Sequence, residues 1–166
     1  MQLSREHPFP GLRPFDFDDA AYFFGRGSQI SALFRHLDRS RFIAVISSSG
    51  GGKSSLVRAG LLPLLQQEAS EPGGRPWHWT TLTPGDAPIA RLARALAALA
   101  QPVPGERPSA ATIRTERIDA ALRRSSFGIG EALGEMPNLG DAPILIVVDQ
   151  FEELFRYAGS SQRNPL

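Results

Sequence analysis

Two short apolar runs along the chain each end at polar residues that carry chemistry. Residues 41–46 lead into a stretch of serines and glycines, and residues 142–148 lead into Asp149. Both runs predict β-strands because they are short and rich in β-branched residues. The second run is apolar on both faces, which is typical of the middle of a parallel sheet covered by helices. Residues 77–83 alternate aromatic, polar and β-branched types and predict a further strand.

Apolar residues recur at helical spacing between these strands. The predicted helices cover residues 20–24, 28–37, 54–62, 89–99 and 113–122. Asp18 or Asp19 can cap the first helix, and Gly25 would end it. Pro63 is expected to kink or shorten the third helix because it lacks a backbone donor. The glycines between 128 and 140 predict a weakly structured connection, so strands and helices alternate as in an α/β fold.

Composition restricts the function classes without deciding between them. The 166 residues are 42% hydrophobic and 21% charged, which suits one domain with a real core. The net charge of +1 and the scattered positive residues lack the electrostatic footprint of a nucleic-acid binder. The arginines at 114–124 fit the solvated face of a helix better than a partner surface. With no cysteine, no membrane-length apolar run and no signal peptide, we expect a soluble, cytoplasmic protein.

The stretch after the first apolar run fits a phosphate-binding loop. Its candidate binding residues are Ser48, Ser49, Gly50, Gly51, Gly52, Lys53, Ser54 and Ser55. Compact glycines let backbone N–H groups surround a phosphate, Lys53 adds a positive charge, and the Ser54 hydroxyl can bind Mg²⁺. The stretch fits the pattern G-x-x-x-x-G-K-[ST], with Ser47 at the first glycine. A Ser/Gly linker would have polar flanks, whereas here a predicted strand precedes the loop and a predicted helix follows it.

Asp149 would supply the second half of such a site. A phosphate loop needs a carboxylate to hold Mg²⁺, usually at the C-terminal end of a buried strand, and Asp149 has that position. Glu152 and Glu153 follow within one helical turn, where one of them could polarise an attacking water. Both cannot be the base, and the alternative is that they complement a helix N-terminus.

Four blocks of sequence span nearly the whole chain in order. They are PFPGLRPF at 8–15, FFGR at 23–26, GGGKSSLVRAGLLP at 50–63 and VDQFEELF at 148–155. Together they resemble the novel STAND NTPase family. The resemblance implies a three-layer α/β P-loop NTPase fold with a parallel sheet, related to AAA+ and NACHT proteins. It also implies an ATP-dependent signalling switch that forms homo-oligomers when activated and is joined, in longer relatives, to effector domains and repeat sensors such as WD40 propellers.

The same resemblance implies roles for individual residues and a division of the chain. Lys53 would contact the β and γ phosphates of ATP. The metal-binding residues for Mg²⁺ would be Ser54 and Asp149, the catalytic candidates Glu152 and Glu153, and the residues on the base side Phe24, Gly25 and Arg26. The chain would form a single domain over 1–166, with an arm and base-side motif over 1–27 and a core from P-loop to Walker B over 28–166.

This sequence departs from the family pattern at three points. Ser47 replaces the first loop glycine and Gly27 replaces a glutamate, and neither change should abolish binding because backbone N–H groups make most phosphate contacts. Related ATPases have a five-stranded sheet in the order 5-1-4-3-2, and this sequence supplies three of the five core strands. We therefore expect an incomplete fold, a fragment of a longer protein, in which nucleotide binding outlasts hydrolysis.

The sequence leaves two other functions open. A compact small-molecule kinase also combines a P-loop strand with an aspartate strand, but it needs an arginine-bearing lid, and the arginines at 114–124 precede Asp149. A non-catalytic assembly scaffold would retain the fold without hydrolysis. GTPase specificity lacks support because no Asn-Lys-x-Asp segment is present. The leading hypothesis is an ATP-binding signalling NTPase.

Overall fold

The computed structural model describes residues 3, 8–100, 108–134, 136 and 139–156. The chain divides into two compact units, Met1–Pro76 and Trp77–Leu166, which we call the N-terminal and C-terminal units. The prediction of a single domain, with an arm over 1–27 and a core over 28–166, stays a prediction. Within the described ranges, no helix is both long and apolar enough to span a bilayer.

Helices form the regular structure of the N-terminal unit over the residues described. Its elements are a 3₁₀ helix Phe17–Tyr22, α1 Gly27–Leu37, α2 Lys53–Ser55, a π-helical turn Leu56–Leu61 and α3 Leu62–Ser70. The C-terminal unit mixes helices and strands. Its elements are β1 His78–Leu82, α4 Pro88–Ala97, α5 Pro108–Arg124, α6 Gly128–Gly134 and β2 Ile144–Val148.

A capping box starts the first helix earlier than the sequence predicts. The Asp16 carboxylate accepts a hydrogen bond from the Phe17 N–H at 2.9 Å, and the Asp19 carboxylate accepts one from the Asp16 N–H at 2.9 Å. These bonds satisfy backbone donors at the helix start, so the 3₁₀ helix begins at Phe17. The prediction of a cap at Asp18 or Asp19 with a helix over 20–24 is wrong, because Asp19 acts as the third residue of the box.

Asp19 ties this helix to the preceding arm. Only 6% of its surface is exposed, and its carboxylate pairs with the Arg13 guanidinium. Hydrogen bonds from Arg13 and from the Asp16 N–H lower the pKa of the Asp19 carboxyl below its ordinary value. A lowered folded-state pKa stabilises the fold above the ordinary carboxyl pKa of about 4, and this stability is lost as the pH falls through the folded value.

We therefore expect the effect of Asp19→Asn to depend on pH. The substitution should reduce the free energy of unfolding at about pH 7 and reduce it much less at about pH 3, where the wild-type carboxylate is being protonated. Urea titrations at both pH values would measure the difference. Asp18→Asn, at an exposed neighbour in the same helix, should change little at either pH. A loss of stability in Asp19→Asn that is equal at both pH values would contradict the ionic role.

The helical run 53–70 passes through Pro63 without a break. Pro63 lies in the first turn of α3, where a missing N–H costs least. Immediately before it, the Leu62 N–H bonds to the Val57 carbonyl, which is π-helical spacing. The backbone widens ahead of the proline and the helix continues to Ser70, so the predicted shortening does not occur.

Residues 41–46 do not belong to the sheet that the structure describes. Phe42 and Ile46 are 80% and 88% exposed, and residues 42–45 line one side of an open groove of about 420 Å³ beside α1. The predicted strand is wrong at this position because a strand exists only with a hydrogen-bonded neighbour. In the order 5-1-4-3-2, its neighbours are strands four and five, and the described residues contain neither.

The sheet of the C-terminal unit pairs β1 and β2 in parallel, with Thr80 opposite Ile146. Parallel neighbours need a long crossover connection, which α4, α5 and α6 provide. The Thr80 hydroxyl donates a hydrogen bond to the Ala95 carbonyl of α4 at 2.9 Å, which fixes that helix on the strand. Both strands lie where the sequence predicts them, and their pairing agrees with an order in which strands two and three are neighbours.

The core of the C-terminal unit is formed by the helices and one face of the sheet. Ile144 and Ile146 of β2 pack against a cluster of buried residues, namely Ala93, Leu96, Ala100, Ile118, Ala132, Met136 and Leu139. Mixed helices and strands with a parallel sheet make this an incomplete α/β fold of the P-loop type, as predicted.

Helix α6 lies where the sequence predicts a weakly structured connection. Gly128 and Ala132 are buried, and a Cβ on Gly128 would lie only 2.7 Å from the Leu122 Cα of α5. Glycine therefore allows the start of α6 to approach the backbone of α5. The prediction is wrong over 128–134 because a residue type that usually breaks helices serves here as a contact surface. Residues 135, 137 and 138 of that segment lie outside the described part.

Candidate functional site

The glycines after residues 41–46 form a tight turn at the start of the helical run 53–70. Gly50 and Gly52 adopt left-handed backbone conformations, with φ of 75° and 77°. The Gly51 N–H bonds to the Ser48 carbonyl at 3.1 Å, and a Cβ on Gly51 would press on the Ser47 side chain, 3.0 Å from its Cβ. Gly52 precedes α2 and offers no side-chain cap, so the helix start presents its first N–H groups. Only glycine fits this turn.

Lys53 places a positive charge on the same turn. Its ammonium group donates hydrogen bonds to the Ser47 carbonyl at 3.2 Å and to the Ser48 carbonyl at 3.3 Å. Of the 18 lysine and arginine residues in the chain, Lys53 is the single lysine. A compact ammonium lying beside unsatisfied helix N–H groups is the arrangement that attracts a phosphate.

The two serines after Lys53 have different surroundings. Ser54 is half-buried in the first helical turn. Ser55 is 7% exposed, and its hydroxyl accepts a hydrogen bond from the Phe15 N–H of the arm at 3.1 Å. The hydroxyl of Ser55 is thus directed at the arm, a contact that the sequence did not indicate because the two residues are far apart in the chain.

Arg26 also reaches the turn. Its guanidinium donates to the Gly51 carbonyl at 3.4 Å, and a Cβ on Gly52 would lie 3.9 Å from the same nitrogen. Among its predicted base-side companions, Gly25 turns the chain with φ of 81° and Phe24 is exposed. The structure therefore brings Arg26 to the glycine turn. A base-side role for Phe24, Gly25 and Arg26 stays a prediction.

Asp149 ends β2 at a sharp change of direction. Its N–H bonds to the Leu82 carbonyl at 2.9 Å, which extends the parallel ladder, and its carboxylate accepts the Gln150 N–H at 3.0 Å. Gln150 has φ of 56°, an uncommon left-handed conformation for a residue with a side chain. The carboxylate thus sits at the C-terminal edge of the sheet, as predicted.

The two glutamates after Asp149 differ in their contacts. The Glu153 carboxylate accepts a hydrogen bond at 2.8 Å from the N–H of Gly85, a buried residue in the loop after β1. Glu152 is exposed. Glu153 therefore joins the ends of both strands, while Glu152 remains accessible to solvent.

The predicted arginine surface is partly neutralised. Arg123 pairs with Asp119 at 2.6 Å, and Arg124 pairs with Glu131 at 2.7 Å. The hydrogen bond from Arg124 lowers the pKa of Glu131, with a smaller contribution from the Ser125 hydroxyl. These pairs are what a solvated helix face contains, and they leave the lid of a small-molecule kinase without two of its candidate arginines.

Comparison with known families decides the relationship of the chain. A family model described as Novel STAND NTPase 1 matches residues 8–165. The chain belongs to the Novel STAND NTPase 1 family. Membership of this family implies nucleotide and metal use in oligomeric signalling. Comparisons with curated proteins and with solved structures gave no match.

The loop of this STAND NTPase fits a nucleotide phosphate. Its glycine turn has no room for a side chain on Gly51, and the Lys53 ammonium lies beside it. The candidate metal-binding residues are distributed between the units: Ser54 is in the N-terminal unit and Asp149 in the C-terminal unit. Over the described ranges, no group of three or more His, Asp or Glu side chains is arranged to hold a metal by itself. Metal binding by Ser54 and Asp149 stays a prediction.

Proposed function

We propose that this STAND NTPase binds Mg-ATP through the loop 48–55 and acts as the nucleotide switch of a signalling protein. The observation that carries the proposal is the glycine turn with the Lys53 ammonium hydrogen-bonded to its first two carbonyls. A glycine turn at the start of a long helix offers backbone N–H groups, and the lysine offers a mobile point charge.

The residues of the loop would act in a definite order on binding. The Lys53 ammonium leaves the Ser47 and Ser48 carbonyls and donates to the β and γ phosphates, an exchange of neutral acceptors for charged ones. N–H groups of the first helical turn donate to the same phosphates, and Arg26 adds a second cation beside Gly51. Ser54 and Asp149 would hold Mg²⁺, which neutralises phosphate charge when bound.

Glu152 is the better candidate for activating a water molecule. A general base must reach the water it deprotonates, and the exposed Glu152 carboxylate has that freedom. Glu153 is committed to the Gly85 N–H and positions the loop after β1. By analogy with the family, activated full-length relatives would form homo-oligomers and carry effector and repeat-sensor domains.

Calorimetric titration of the 166-residue chain with ATP, ADP, adenosine and GTP, each with and without Mg²⁺, tests the proposal. We expect weak ATP binding that Mg²⁺ strengthens, falling affinity as phosphates are removed, and weaker binding of GTP. Phosphate release should be slow. Adenosine binding as tightly as ATP would overturn the role of the loop, and phosphate transfer to an acceptor hydroxyl would favour a kinase. Light scattering that is indifferent to ATP would favour a passive scaffold.

A further inference from the structure

We propose that the N-terminal arm, residues 13–23, positions the phosphate loop and does so through the hydroxyl of Ser55. The proposal rests on the proposed function for its nucleotide readout and on separate observations for the docking of the arm. Ser55 follows Lys53 and Ser54 directly, so it lies in the turn of helix that would face the nucleotide. Its hydroxyl, 7% exposed, accepts the Phe15 N–H at 3.1 Å.

Fixing Ser55 fixes the directions of its neighbours. Successive residues of an α-helix point about 100° apart, so Lys53 and Ser55 project from opposite sides of the first turn. A hydrogen bond that holds Ser55 against the arm therefore sets the rotation of the turn and directs Lys53 and Ser54 away from the arm. Gly52 gives this helix start no side-chain cap, so the arm is the element that restrains it.

The arm is rigid enough for this task. Arg13 contacts both carboxylate oxygens of Asp19, and Asp19 in turn accepts the Asp16 N–H, which closes residues 13–19 into a small network. The Phe15 ring lies 5.5 Å from the Phe23 ring, centroid to centroid. The Phe15 N–H is thus presented by a segment that is braced at both ends.

A second contact lies on the same side of the helix. The Asp16 carboxylate is 3.7 Å from the Arg58 guanidinium, and Arg58 follows Ser55 by three residues. Residues three apart share one face of a helix. The arm therefore contacts one helix face at two levels, which resists rotation better than a single contact.

Equilibrium ATP binding by Ser55→Ala tests the role of the hydroxyl, because the substitution keeps the backbone N–H. We expect its affinity to fall about three- to tenfold, the range for one net hydrogen bond. Ser70→Ala, which removes a hydroxyl at the far end of α3, is the matched control and should bind like wild type. An unchanged affinity in Ser55→Ala would overturn the proposal.

A double-substitution cycle identifies the partner of that hydroxyl. Phe15→Pro and Phe15→Ala both remove the ring, but only the proline removes the N–H. Ser55→Ala should cost no further affinity in the Phe15→Pro background and its full cost in the Phe15→Ala background. Equal costs in both backgrounds would overturn the proposal. The cost should also persist without Mg²⁺, since a hydroxyl acting on the metal would lose its effect there.

Limited chymotrypsin digestion separates arm docking from nucleotide binding. Phe15, Phe17 and Tyr22 lie in the arm, and Ser55→Ala should speed cleavage there in the absence of nucleotide, with circular dichroism confirming that the variant is folded. Unchanged cleavage would overturn the proposal even if ATP binds. If the wild type binds no ATP, the proposed function fails, and faster arm cleavage in Ser55→Ala would still support docking through this hydroxyl.

Discussion

Lys53→Ala is expected to weaken Mg-ATP binding about ten- to hundredfold, because a hydrogen bond to a charged group contributes about 1.5–3 kcal/mol. In the free protein the ammonium bonds only to the Ser47 and Ser48 carbonyls of an exposed loop. Its removal should therefore cost little stability, and the loss should fall on ligand affinity. Calorimetric titration of the full chain measures the affinity, and a melting curve checks that the fold is intact.

Lys53→Arg is the control for charge in that experiment. It keeps the positive charge but replaces a compact ammonium by a planar fork, so an affinity between those of wild type and Lys53→Ala is expected. Equal affinities of wild type and Lys53→Ala would remove the argument for a phosphate loop at 48–55. The same result would leave the docking of the arm, which involves Ser55 and Phe15, unaffected.

Glu153→Ala should lower the free energy of unfolding by about 1–3 kcal/mol, the cost of leaving a buried donor unsatisfied. The donor is the N–H of Gly85, which is buried and bonds to the Glu153 carboxylate at 2.8 Å. This bond joins the loop after β1 to the turn after β2. Urea titration followed by the fluorescence of Trp77 and Trp79, both in the C-terminal unit, would measure the loss.

The neighbouring glutamate is a matched control for this effect. Glu152 is exposed, so Glu152→Ala should change stability by no more than about 0.5 kcal/mol. Glu153→Gln keeps an oxygen acceptor and should retain most of the stability. Similar losses in Glu152→Ala and Glu153→Ala would contradict the division of roles between the two glutamates.

The elements that the sequence predicts well are those with a strong local pattern. The apolar stripes of α1, α4 and α5 and the β-branched run of β2 each bury a face within their own unit, so periodicity reveals them. The glycine turn and Lys53 follow from spacing in the same way. Local patterns are therefore sufficient for the loop and for the pairs of secondary elements around it.

The features that the sequence missed depend on distant partners. Residues 41–46 are apolar and β-branched, yet whether such a run pairs as a strand depends on chain that is remote in sequence. The bond from Phe15 to Ser55 and the bond from Gly85 to Glu153 join residues 40 and 68 positions apart. Gly128 carries no signal that distinguishes a helix contact from a break. These are tertiary effects that override local propensity.

The position of the single lysine makes the loop chemically distinct from the rest of the protein. All other basic side chains apart from the histidines are guanidinium groups, which do not react with the acylating reagents that modify amines. Lys53 is consequently the one internal target for acylation, for amine-directed cross-linkers and for conjugation through an isopeptide bond. Any such modification would remove the ammonium charge at the glycine turn itself, so covalent chemistry on this chain and occupancy of its loop are mutually exclusive.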